Sequence, residues 1–158
     1  MTERALAPRI REAQVDDAER LADLATQLGY PSSTAEVAGR LRSILGDPAH
    51  VVYVADVPGS GARGFAHVHA TIALESGARA ELLGLVTDGT LRSRGLGALL
   101  VDEAERWARA KGIEVLCVRC NVLRPDAHRF YERQGYQCSK TQKYFRKSLA
   151  GGGSSDKR

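Results

Sequence analysis

Arg92-Ser93-Arg94-Gly95-Leu96-Gly97 combines two guanidinium groups with two glycines inside six residues. That pattern suits a diphosphate. The arginines supply charge-assisted donors to phosphate oxygens, and the glycines remove side chains that would keep a ligand from the backbone. An apolar run, Glu81 to Thr87, precedes the hexapeptide and reads as a strand. After it, Leu99, Leu100, Ala104, Trp107 and Ala108 recur at helical spacing between Ala98 and Lys111. A helix beginning there would aim its first N–H groups, which have no intrahelical acceptor, at the ligand. The plain alternative is a glycine-rich connection with solvated arginines.

Three phosphate-holding patterns compete. A nucleotide P-loop needs Lys-Ser or Lys-Thr after its last glycine, and Gly97 is followed by Ala98 and Leu99. A dinucleotide fingerprint needs a small residue where Leu100 stands, and βαβ alternation from the start of the domain. The third pattern, Arg/Gln-x-x-Gly-x-Gly/Ala, is met by Arg92, Gly95 and Gly97. A second segment comes one helix and one strand later. Glu114 to Cys120 reads as a strand, and Pro125 and Gly135 suit the first turn and the end of a helix.

Asn121, Ala127, Phe130, Tyr131, Gly135 and Tyr136 resemble the signature Asn-x(5)-Ala-x-x-Phe-Tyr-x-x-x-Gly-Phe. With the arginine–glycine loop, they make the chain similar to the acyl-CoA N-acyltransferases of the GNAT superfamily, from about Pro8 to Leu149. Gly89 departs from the proline often found before that loop. The resemblance implies a mixed α+β fold with a central sheet flanked by helices, and acetyl-CoA as co-substrate with no metal. It implies transfer of the acetyl group to a primary amine of a small molecule or protein, by direct attack in a ternary complex. A non-catalytic acyl-CoA sensor or scaffold is the alternative, and a dinucleotide oxidoreductase a distant third.

The resemblance also distributes roles. The backbone of Leu85, Val86 and Thr87 would hold the pantetheine, with the Leu85 N–H as oxyanion donor. Gly84 would permit a bulge that splays this strand from Glu114–Cys120, with relief of crowding as its other role. Arg92, Ser93, Arg94, Gly95, Leu96, Gly97 and Ala98 would hold the pyrophosphate, while Asn121, Ala127 and Phe130 complete the coenzyme site. Tyr131 would be the general acid toward the thiolate, since a phenol with pKa near ~10 is protonated at neutral pH. Packing is the competing role for Tyr131, and helix capping for Asn121. Glu81 is the candidate base; His67 and His69, alternating on one strand, and water are the others. The turn from Leu28 to Thr34 would shape the acceptor site, and its lack of acidic residues disfavours a polycationic acceptor.

The elements that must place these groups are set by periodicity. Strands are expected at Arg9–Gln14, His50–Val57, Arg63–Leu74, Arg79–Thr87 and Glu114–Cys120, with one or two more within Tyr136–Leu149. Helices are expected at Val15–Gly29, Ala35–Leu45, Ala98–Lys111 and from Pro125. With 158 residues the chain is expected to be a single domain over 1–150 with a flexible tail over 151–158. Apolar content of 43% is ordinary for a soluble domain, and no apolar run reaches a membrane span. Cys117 and Cys120 alternate faces on a strand and read as packing residues, and an odd count of 3 cysteines points to the reducing cytoplasm. Of the basic clusters behind the net charge of +4, a phosphate-rich coenzyme explains those at Arg92 and Arg94 and at Arg119, Arg124, Arg129 and Arg133. Lys140, Lys143, Arg146 and Lys147 read as solvated surface, and 6% aromatics argues against nucleic acid. A homodimer is compatible with this reading.

Overall fold

A computed structural model describes residues 7–91, 95–120 and 122–151, in two compact units that divide between Asn121 and Val122. In the first unit, β1 (Arg9–Glu12), β2 (His50–Val57), β3 (Gly61–Ala73), β4 (Gly77–Thr87) and β5 (Leu116–Val118) form one sheet in the order β1-β2-β3-β4-β5. The first three pairings are antiparallel and the last is parallel. Short turns such as Pro58–Ser60 can join antiparallel neighbours, whereas β4 reaches its parallel partner only through the crossover helix α3 (Leu96–Ala110).

Helix α1 (Ala18–Leu28) comes after a short 3-10 turn at Val15–Asp17 and buries Ala18, Leu21, Ala22 and Leu24 at helical spacing. It ends where Gly29 takes a left-handed φ of 107°, which lets the Tyr30 N–H bond back to Ala25 O at 2.9 Å. Ser33 caps α2 (Thr34–Leu45), its hydroxyl accepting from Glu36 N while Glu36 accepts from Ser33 N, both at 3.1 Å. Both helices cover one face of the sheet, where Leu24, Val37 and Leu41 join Val52 and Val54, with Phe65 and Val86 packed against them. Helix α3 covers the other face with Leu96, Leu100, Val101, Ala104 and Ala108. It approaches so closely that a Cβ on Gly64 would stand 3.2 Å from Leu100 Cδ1 and 3.0 Å from Val86 O.

Two expectations are corrected. The strand expected over Glu114–Cys120 is only Leu116–Val118, because β4 offers it partners only from Ala80 to Leu82. No strand occurs between Tyr136 and Leu149 among the described residues. Extended backbone counts as a strand only with a ladder partner, and Tyr144, Phe145 and Leu149 stand more than four-fifths exposed. The second unit carries helix α4 (Pro125–Arg133), opened by Pro125 and followed by Gly135 at φ 91°.

Candidate active site

β4 is interrupted where the sequence places Gly84. His67 of β3 pairs with Gly84, yet the next residue, Val68, pairs with Leu82, so Leu83 is an extra residue on β4. This bulge coincides with the end of the β4–β5 ladder at Leu82 and Val118. Beyond it, Asp88 N donates to Arg63 O on β3 at 2.7 Å. Strand alternation then turns the N–H groups of Leu85 and Thr87 toward the opposite edge, on the side of β5. That edge has no β5 partner past Leu82 among the described residues. Backbone donors and acceptors are thereby available to an extended ligand, as for an added strand.

At the carboxyl end of this edge, the α3 helix starts with Gly95 at φ 76°, a left-handed conformation that glycine adopts without strain. Leu99 N bonds to Gly95 O at 3.1 Å, so the N–H groups of Leu96, Gly97 and Ala98 belong to the first turn. Leu96 is buried and anchors the turn; Gly97 and Ala98 are half-buried. Arg92, Ser93, Arg94 and Asn121 lie outside the described residues. In the second unit, Ala127, Phe130 and Tyr131 lie along α4, and the Tyr131 ring packs edge-on against Phe130 at 5.1 Å and Tyr136 at 6.0 Å.

A cavity of 260 Å³ opens on the face of the bulge covered by α1 and α2. Ala25, Leu28 and Tyr30 line one side, with Ser32 and Arg40 beside them. The sheet closes it with Phe65, His67, Leu83 and Gly84. The turn expected to shape an acceptor site therefore contributes Leu28, Tyr30 and Ser32. Arg40 Nη1 donates to Ser32 Oγ at 3.2 Å, and Arg40 Nη2 to Glu36 at 3.3 Å. Burial and the neighbouring imidazoles of His50 and His69 push His67 down to about 4, so it is neutral at pH 7. Glu81 faces His69 across the ladder but does not line the cavity. It accepts from Arg79 Nε at 3.0 Å and lies 3.8 Å from Arg119.

Sequence reasoning misses Asp88, the buried acid at the end of β4. It accepts from Arg63 at 2.8 Å, Arg20 of α1 at 3.2 Å, and both the N–H and hydroxyl of Thr90, at 3.0 and 2.9 Å. Gln27 of α1 accepts from Gly89 N at 3.1 Å. Asp-Gly-Thr after a strand is a local signal for such a turn, but the two arginines are remote in sequence. Thr90 first, then Arg63, holds the Asp88 carboxyl far below the ordinary 3.8. Asp88→Asn should destabilise the fold by about 2–3 kcal/mol, because a charge-assisted network loses its anion. A group depressed in the folded state stabilises fully above its unfolded pKa and loses that contribution as pH falls through its folded pKa. Urea unfolding should show a constant gap between wild type and Asp88→Asn above about pH 5, narrowing below about 3.8. A gap unchanged down to pH 2 would contradict this.

A sheet split beside a bulge and followed by a helix N-terminus defines a recognisable class. Residues 15–136 match the sequence profile of the Acetyltransferase (GNAT) family, and the chain belongs to that family. Over 66 residues it is 35% identical to an uncharacterized N-acetyltransferase of Bacillus subtilis, YhdJ, covering 41% of this chain and 46% of that protein. Over 59 residues it is 41% identical to the aminoalkylphosphonate N-acetyltransferase of Salmonella typhimurium, covering 37% and 38%. The matches thus span less than half the length of these curated relatives. The crystal structure of a transcriptional regulator from Bacillus halodurans superposes with TM-score 0.79 at 27% identity, over 88% of this chain and 99% of that one. An aminoglycoside N-acetyltransferase solved with CoA shares the fold, with TM-score 0.83 at 18% identity over 93% and 99%.

Proposed function

We propose that the chain is an acetyl-CoA-dependent N-acetyltransferase acting as one domain over 1–150, in the cytoplasm, on a small amine that also carries an anionic group. The observation behind this reading is the cavity at the β4 bulge, which adjoins the strand edge where Leu85 and Thr87 offer backbone N–H groups. Pantetheine would extend along Leu85, Val86 and Thr87. Its thioester oxygen would meet the Leu85 N–H, a donor aimed where negative charge develops in the tetrahedral intermediate. Arg92, Ser93, Arg94 and the first turn of α3, Gly95 to Ala98, would hold the pyrophosphate. Asn121, Ala127 and Phe130 would flank the coenzyme, and Tyr131 would protonate the departing thiolate. Glu81 is tied to Arg79 and lies off the cavity lining, so a role as base would run through water.

The cavity's chemistry points to the acceptor class. Among the described residues, the cavity lining has one formally charged side chain, Arg40, and no carboxylate. A polyamine or aminoglycoside would find no carboxylate in that lining, whereas an amine bearing a phosphonate or carboxylate would find the Arg40 guanidinium once it exchanges its bonds to Ser32 and Glu36. The named substrate of the Salmonella typhimurium relative combines those same two groups. A panel of aminoalkylphosphonates, amino acids, simple alkylamines and polyamines, read by free-thiol release from acetyl-CoA, tests this. Amines with an anionic group should have the highest kcat/KM, and Arg40→Gln should lower it for them by roughly tenfold, chiefly through KM. Equal or better turnover of polyamines would refute the acceptor class. Tight acetyl-CoA binding with no thiol release from any amine would favour the sensor reading.

A further inference from the structure

Three histidines meet on the sheet face that floors the cavity, and His67 alone among them lines it. The β2–β3 ladder sets His50 opposite His69, next to the Val52–His67 pair. His50 Nδ1 lies 2.9 Å from His67 Nε2, and the His50 ring stacks on His69 at 4.2 Å. On its other side, His50 Nε2 is 3.9 Å from Asp47 Oδ2, whose side chain is half exposed. Titratable groups therefore run without a break from the cavity to the surface. Among the described residues no three His, Cys, Asp or Glu side chains are placed to hold one metal ion.

We propose that His67 and His50 form a proton relay that carries the acceptor amine's proton out of the cavity to Asp47 and solvent. This rests on the N-acetyltransferase reading, because an ammonium has no lone pair and must lose a proton before attack. In the relay, an ammonium N–H bond breaks and its proton binds His67 Nδ1, directly or through water. The His67 Nε2–H proton passes to His50 Nδ1. His50 then releases its Nε2 proton to the Asp47 carboxylate or to water. The N–H bonding pair stays on the amine as the attacking lone pair, and nothing is oxidised or reduced. A neutral imidazole has one donor and one acceptor nitrogen, which is what a through-passing proton requires.

The surrounding charges favour passage over storage. Arg40 of α2 lines the same cavity and disfavours a resident cation, while α1 contributes Ala25 and Leu28. His69 lies one strand alternation away on β3, and on β4 Glu81 faces His69 with its partner Arg79. The depressed basicity of His67, from burial and the neighbouring imidazoles, agrees with a ring that holds no resident positive charge. Glu81 and Asp47 lie on opposite sides of the cluster, opposite His69 and beside His50 respectively.

The tautomers test the relay without any substrate. Nitrogen-15 NMR of the ring nitrogens in the full chain should show hydrogen on His67 Nε2 and a lone pair on His50 Nδ1. The reverse arrangement would overturn the relay whatever the protein's activity. With an amine that turns over, His67→Gln should lower kcat/KM roughly 10- to 100-fold and flatten its rise with pH. His50→Ala, which leaves the cavity lining intact, should lose activity in dilute buffer and regain it as imidazole is added. A folded His50→Ala that imidazole does not restore, or a loss produced by Glu81→Gln but not by His67→Gln, would overturn it too. Wild-type protein that releases no thiol with any amine would instead defeat the acetyltransferase reading, leaving the tautomer measurement to judge the histidine pair.

Discussion

Tyr131→Phe is expected to lower kcat by roughly ten- to a thousandfold while acetyl-CoA affinity stays within about twofold of wild type. The substitution deletes one hydroxyl and almost no volume. The ring's edge-on packing against Phe130 and Tyr136 survives it, as does the bond from Tyr136 N to Tyr131 O at 3.0 Å. Thermal unfolding of the variant, measured alongside, separates chemistry from folding. In the proposed role the phenol gives its proton to the coenzyme sulfur as the carbon–sulfur bond breaks, an interaction stronger in the transition state than in the bound thioester. Coenzyme titration by calorimetry and steady-state kinetics with the best amine of the panel provide the check. A kcat equal to wild type would reduce Tyr131 to a packing residue of α4. A parallel loss of coenzyme affinity would make it a binding group.

Periodicity makes the helices and the central antiparallel strands legible, because each has one buried face of fixed period. Leu21 and Leu24 on α1 are among the positions that spacing selects, and both are buried. Of the α3 positions that spacing selects, Leu100, Ala104 and Ala108 are buried, Trp107 is half-buried and Leu99 stands 39% exposed. Spacing starts α3 at Ala98, two residues later than its observed start at Leu96. Left-handed Gly95 lets the helix begin at once, which places Leu96 and Gly97 in the first turn. Strand ends are less legible, because they depend on partners. Val115 and Arg119 have the composition of a strand, but β4 leaves the ladder at its bulge, so β5 stops at Val118.

The site divides along the same line. Gly84 and the arginine–glycine loop are local signals, and a single chain displays them. His50 reads as an ordinary strand residue until the β2–β3 register sets it beside His67. Asp88 likewise depends on Arg20, 68 residues away, and Arg63, 25 residues away. Arg40 enters the cavity only because α2 folds back over the same sheet face as α1. Long-range pairings of this kind carry no signature in a single chain. In the proposed assignment His67 and Arg40 belong to the acceptor side, whereas the coenzyme side rests on contiguous motifs.

The double substitution Arg92→Ala/Arg94→Ala should weaken acetyl-CoA binding by about 2–4 kcal/mol, or ~30- to 1000-fold in Kd, from the loss of two charge-assisted contacts. The expectation rests on the two guanidinium groups and on the helix start immediately after them. First-turn amides at Leu96, Gly97 and Ala98 bring partial positive charge to one place, and a pyrophosphate held there would still lack formal counter-charges without the arginines. Because much of the lost term is electrostatic, wild-type affinity should fall with added salt more steeply than that of the double variant. Gly97→Val should be at least as damaging with both arginines intact, since a branched side chain on the first turn obstructs close approach to its amides. The two variants therefore separate charge from access. Calorimetric titration with acetyl-CoA and with dephosphorylated pantetheine thioester supplies the measurement. The arginine variant should lose affinity for the first ligand and keep it for the second. Equal losses for both ligands, or unchanged affinity for acetyl-CoA in folded protein, would place the pyrophosphate somewhere other than the start of α3.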